Sequence, residues 1–140
     1  MPPVILCFGN ADRGDDAAGV LVARRLSLPV SEPAAILEMS ADAHVILVDT
    51  VVTGSAPGTI HTWEASARPL SREPFRCSTH SLGVADTIEL TSALGRLPKR
   101  VTIYGIEGVR FEPGAAPLPA VAVAVDQLVR ILSVQCNDSE

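Results

Sequence analysis

Apolar and polar positions along the chain change their period repeatedly, and each change marks an element. Val4 to Phe8 is a short apolar run closed by Gly9-Asn10, the pattern of a buried strand. From Asp15 or Asp16 to about Leu26 the spacing is helical, with acids in the first turn and Arg24-Arg25 in the last, a polarity that suits the helix dipole. LSLPVSEP, with its two prolines, leaves room for a stub of strand only, and Pro33 then opens a short helix over PAAILEMS. HVILVD has four apolar residues in a row, as a central strand covered on both faces does. After Asp49 the linker is too short for a helical crossover, so Gly58 to Trp63 is expected to return antiparallel, as an edge strand.

ASARPLSREPFRCST is irregular and broken by prolines, a long loop of the kind that carries function. SLGVADTIELTSALG reads as a helix: Leu82, Ala85 and Ile88 recur at spacings of three, Leu90 and Leu94 at four, and Gly95 stops it. A further strand runs from Val101 to Ile106, and AVAVAVDQLVRILSV closes the domain as a helix. Residues 1–135 thus form one domain, with 136–140 as a frayed tail. Strands alternating with helices give an α/β fold, a three-layer α/β/α sandwich around a mostly parallel twisted sheet with one antiparallel edge strand.

Composition narrows the function classes. Of the 140 residues, 47% are apolar and 19% charged, enough for one packed core. The net charge is −5 and the basic residues are scattered, so a nucleic-acid partner is not expected, because phosphate binding needs a basic patch. No unbroken apolar stretch approaches the roughly 18 residues of a membrane span, and MPPVILCFG lacks the basic region of a signal peptide, so no membrane partner is expected. Cys7, Cys77 and Cys136 lie in no metal-type spacing and read as reduced thiols of a cytoplasmic protein.

In parallel sheets, ligands bind beyond the carboxyl ends of the strands. Three segments deliver candidate groups to that rim: Asp15-Asp16 after the first strand, Asp49 at the end of HVILVD, and Ser78-Thr79-His80 before the third helix. Two carboxylates and an imidazole suit a borderline divalent ion such as Zn²⁺ or Ni²⁺. Read singly, the doublet is a helix cap, and the two roles can be divided, with Asp15 capping and Asp16 facing the rim. A carboxylate closing an apolar strand, as Asp49 does, is costly to bury without a partner. The positive end of a helix dipole keeps an imidazole at His80 neutral and able to ligate. His44 and His61 read as structural, Glu107 as a loop acid and Trp63 as packing. No GxGxxG or GKS/T run is present, so no nucleotide is expected, and Cys77 and Ser78 sit in no nucleophile elbow.

F-G-N-x5-D-D-x2-G-V, V-I-L-V-D-x8-P-G-T and S-T-H-S-L-G-V, in this order, resemble the hydrogenase maturation proteases. LGRLPKRVTIYGIEG, the following proline-containing loop and the last helix extend the resemblance over nearly the whole chain. It implies an endopeptidase that senses nickel already inserted in the precursor of the hydrogenase large subunit and removes its C-terminal extension. Asp16, Asp49 and His80 match the family's metal-contacting set and become the expected catalytic and metal residues. Gly9, Asn10, Asp15, Ser78 and Thr79 are the expected substrate contacts. The nickel is presented by the substrate, with Zn²⁺ or Cd²⁺ as surrogate ions for the free protein. The expected partner is the large-subunit precursor, met by a monomer. Two departures stand out: LSLPVSEP replaces a fuller second strand, and the doublet is Asp-Asp where some relatives carry Asp-Glu.

Two other readings share parts of this pattern. A receiver-like regulatory domain would be phosphorylated at Asp49, but its acidic doublet would close strand one directly, and VTIYGIEG lacks the expected lysine. A metal-sensing adaptor that has lost proteolysis would keep the three ligands and cut nothing.

Overall fold

The computed structural model describes residues 2–76 and 82–138. Four strands form one sheet: β1 (Val4–Cys7), β2 (His44–Val51), β3 (Ile60–Glu64) and β4 (Arg100–Glu107), in the order β1-β2-β4-β3. β2 lies parallel to both β1 and β4, while β3 returns antiparallel along β4 as the edge strand. Both central strands are buried over seven of eight residues, and so VILV and VTIYGI read as largely apolar runs with no regular alternation.

Alternate residues of β2 feed two separate cores. Val45, Leu47 and Val51 join Ile36, Val84, Ala85 and Ile88 on one face. Ile46 and Val48 join Val22, Val121, Ala124, Val125 and Leu128 on the other. The helices α1 (Ala18–Arg25) and α3 (Pro119–Asp138) therefore cover one side, and α2 (Val84–Ala93) with a 3-10 turn at Pro33–Glu38 covers the second. This is the expected three-layer sandwich, with its antiparallel edge in place.

α1 docks on β1 through Gly19, where an added Cβ would lie 2.0 Å from the Phe8 carbonyl oxygen. Backbone fills the space, so Gly19→Ala must push the helix off the strand. The expected result is a loss of about 1–3 kcal/mol of stability, read as a lower urea midpoint at unchanged slope.

Several expectations are corrected. Residues 33–38 wind as a 3-10 turn and not as an α-helix. LSLPVSEP does form the expected stub and no more, a single parallel bridge of Cys7 with Val30, supported by the Ser31 amide donating to the Cys7 carbonyl (2.8 Å). The inward face of α2 carries Ala85 and Ile88 as expected, but Leu90 and Leu94 are exposed, as is Leu82 ahead of the helix. Thr87 and Thr91 take inward places, each hydroxyl donating to the carbonyl four residues back, Gly83 and Thr87 (2.8 and 2.6 Å). The supposed frayed tail continues α3 through Asp138. Pro119–Cys136 also has the length and mean hydropathy, 1.3, of a bilayer-spanning helix, although Asp126 and Arg130 interrupt its sequence. Here its row Val121, Ala124, Val125, Leu128, Val129 and Leu132 packs into the core.

Candidate active site

The carboxyl ends of β1, β2 and β4 meet at one edge of the sheet, and the chain turns there through glycine. Gly9 has φ +151°, and a Cβ on it would lie 2.3 Å from the Asp16 carbonyl oxygen. The absence of a side chain lets the β1–α1 turn close: the Asn10 amide donates to that same carbonyl (3.1 Å), and the Arg13 amide to the Asn10 carbonyl (3.3 Å). Asn10 folds inward on its own turn, its side-chain oxygen accepting from the Asp12 amide (2.9 Å). Gly9 and Asn10 thus shape the loop that presents the acids, and Gly14–Ala17 forms a buried 3-10 turn ahead of α1.

The doublet divides, but in a different way from the one expected. Asp15 caps no helix. It is 0% exposed, and one carboxylate oxygen accepts the amides of Val109 and Arg110 (2.8 Å each) while the other accepts that of Leu118 (2.7 Å). Its assignment as a substrate contact is corrected accordingly: both oxygens are taken up by the β4–α3 loop, and no surface is left for a ligand. Backbone bonds continue the seam between the two loops, from the Asp15 amide to the Arg110 carbonyl (2.7 Å) and from the Gly14 amide to the Ala115 carbonyl (3.0 Å).

Asp16 is 3% exposed and Asp49 7%. Asp49 ends the apolar run of β2, stands opposite Gly105 of β4, and accepts its neighbour's Thr50 amide (2.8 Å). Burial pushes its carboxyl up to about 8; the Thr50 amide pulls the other way, and the negative charge of Asp16 adds to the rise. The two carboxylates are thus near enough for the charge of one to act on the other. Arg13 approaches the pair from outside, its guanidinium 3.6 Å from an Asp16 oxygen.

Thr50 faces the opposite side of the sheet from Asp49, and its hydroxyl donates to the Asp15 carbonyl (3.0 Å). Consecutive residues of β2 thus fix both the acid and the turn that carries its partner. His80, the expected third group, lies outside the described residues, as do Ser78 and Thr79. Among the described residues no three His, Cys, Asp or Glu side chains group as a metal site. Asp16 and Asp49 offer carboxylate oxygens at one rim, two donors and so fewer than a metal site requires.

Glu107, expected to be a loop acid, ends β4 at 1% exposure. One oxygen accepts the Thr53 and Gly54 amides (2.8 and 3.2 Å), the other the Thr53 hydroxyl (2.6 Å) and His61 Nε2 (3.0 Å). Burial alone would raise this carboxyl, but these donors hold it below the usual range. Glu107 pins the β2–β3 loop beside Asp49, and sequence reasoning missed it because two of its partners are backbone amides. His61 and His44 are structural as expected, His61 on Glu107 and His44 against the Thr102 hydroxyl (3.2 Å). Trp63 packs between His61 and Phe75, ring centroids 5.5 Å from each. Burial pushes the Cys7 thiol up to about 12, which leaves it no nucleophile.

A mostly parallel sheet flanked by helices, with two buried acids at its carboxyl edge, defines the class: an α/β sandwich with a carboxylate pair at the strand ends. A family model for hydrogenase maturation proteases matches residues 32–135, and the chain belongs to that family. It is 28% identical over 137 aligned residues to the hydrogenase expression/formation protein HupD of Rhodobacter capsulatus, covering 88% of this chain and 65% of that protein. The hydrogenase 2 maturation protease of Escherichia coli is 26% identical over 137 residues, 88% of this chain and 83% of that one. The structure of the hydrogenase maturating endopeptidase HybD from E. coli superposes with a TM-score of 0.77 at 23% identity, over 99% of this chain and 94% of the other. The endopeptidase HycI from E. coli gives 0.71 at 24% identity, over 96% and 90%. The E. coli relative is a hydrogenase maturation protease and both solved structures are of endopeptidases, and the fold is theirs.

Proposed function

We propose that this protein is the endopeptidase that recognises nickel in an immature hydrogenase large subunit and removes the subunit's C-terminal extension. The observation that carries the reading is the pair Asp16 and Asp49, buried together at the sheet edge in a member of the maturation protease family. In this reading the nickel belongs to the substrate. Asp16 and Asp49 meet it with His80 as third contact, and Gly9, Asn10, Ser78 and Thr79 shape the approach of the precursor's tail. Zn²⁺ or Cd²⁺ would stand in for nickel on the free protein, and no nucleotide takes part.

Asp49 supports a proton-transfer role. A carboxyl raised to about 8 holds a proton at neutral pH, and a cation arriving at the pair favours its release. The ionised group can then take a proton from water attacking the scissile carbonyl and return it to the leaving amine, as an aspartyl-type general base and acid. Asp16 holds the charge and the geometry while this happens. The protein would work in the cytoplasm as a monomer in a transient complex with the precursor; its thiols Cys7 and Cys136 are unpaired, as in a reducing compartment.

Incubation with nickel-loaded precursor, followed by mass spectrometry, tests the assignment. Wild-type protein should shorten the precursor at its C-terminus, and the metal-free precursor should stay intact. Asp16→Asn and His80→Ala should each slow cleavage at least about 100-fold. Cleavage at the wild-type rate by either variant removes that residue from the site. An intact precursor with wild-type protein, together with retained metal binding, replaces the protease by the adaptor reading.

A further inference from the structure

Arg13 pairs with Asp16 from the solvent side, with about a quarter of its side chain exposed. Its backbone is fixed: its amide donates to the Asn10 carbonyl (3.3 Å), and its carbonyl accepts the Asp16 amide (3.0 Å). The guanidinium stands 3.6 Å from an Asp16 oxygen, longer than the 2.7–2.9 Å of a close charge-assisted hydrogen bond. Its central carbon lies 5.8 Å from the centroid of the Phe111 ring, within range of a cation–π contact. Phe111 follows Val109 and Arg110 in the loop that Asp15 clamps, so the ring and the acid keep their places relative to one another.

We propose that Arg13 is the displaceable counter-ion of the Asp16–Asp49 pair, which a divalent cation must move aside to reach the carboxylates. The idea rests on the site reading above and extends it to the state before substrate arrives. Two buried acids without a positive neighbour would attract any available divalent ion. A guanidinium close to Asp16 lowers that attraction, since a cation has to replace it as well as bind. The Phe111 face keeps a seat for the displaced side chain. Arg13 is thus a positioning residue that discourages stray ions and leaves the pair open to a metal brought by the precursor with ligands of its own.

Calorimetric titration of the full-length free protein with Ni²⁺ alone, and separately with Cd²⁺ alone, tests the proposal. Arg13→Met should bind each ion about tenfold more tightly than wild type. Arg13→Lys, which keeps the charge, should stay within about threefold of wild type. With nickel-loaded precursor, added Zn²⁺ should inhibit Arg13→Met at about tenfold lower concentration than wild type. A role confined to holding the loop would weaken binding in Arg13→Met, the opposite sign. Equal affinity of wild type and Arg13→Met, or weaker binding by the variant, overturns the counter-ion assignment alone. Failure of both forms, and of Asp16→Asn, to bind either ion at millimolar concentration overturns it together with the metal site on which it rests.

Discussion

Asp49→Asn is expected to give a protein that is folded, more stable than wild type in alkali, and inactive. In the unfolded chain the carboxyl titrates near 3.8, and in the native state near 8. Between those values the native state binds a proton that the unfolded state has released, so stability falls as pH rises. The contribution is fully present below about 4 and gone once the native group ionises above about 8. Asparagine mimics the neutral acid in shape and keeps an oxygen for the Thr50 amide, yet has no proton to lose. Melting curves of the two proteins should coincide near pH 4 and separate steadily, reaching on the order of 10 °C in favour of the variant at pH 9. Parallel curves across that range would show that Asp49 ionises normally and that burial does not set its chemistry. Cleavage of the nickel-loaded precursor should fall at least about 100-fold in the same variant. Stability gained where activity is lost is the mark of a group kept for function.

Asp15→Ala should show the opposite balance, with a large loss of stability. Three amides, from Val109, Arg110 and Leu118, lose at once an acceptor that is itself fully buried, although the loop that carries them is partly open to water. At about 1–3 kcal/mol for each orphaned donor, partly relieved by movement of the loop, the cost is about 3–5 kcal/mol. Denaturant unfolding measures the total, and amide hydrogen exchange locates it: those three amides should lose protection while the β2–β4 amides keep theirs. Unchanged protection at Leu118 would mean that the loop is held by other bonds. Asp15→Asn should not rescue the site, because an amide NH₂ would then face one set of backbone donors.

The sequence made the sheet readable where physics acts locally. VILV is apolar without interruption, and VTIYGI is broken only by Thr102, because both faces of each strand are covered, and such runs announce central strands by themselves. Asp49 is legible for the same reason, as a carboxylate directly after the four apolar residues of a covered strand. What could not be read depended on partners distant in sequence. The clasps of Asp15 and Glu107 end largely on backbone amides, which every residue other than proline possesses and which leave no compositional trace. The inward face of α2 was misjudged because Thr87 and Thr91 satisfy their hydroxyls within the helix and so pass as apolar residues. At residues 33–38 the composition suited a helix, but so short a segment behind Pro33 gains little from α-helical cooperativity and winds more tightly.

The seam between the two loops also sets the order in which the protein can become competent. Both acids are made early, at positions 16 and 49, but the frame around them closes only when Arg110, Ala115 and Leu118 arrive. A nascent chain released before that point carries the carboxylates with their turn unsupported. The two acids thus gain their support only after β4 and the loop that follows it have been made, and the order of synthesis places the frame after the groups it holds.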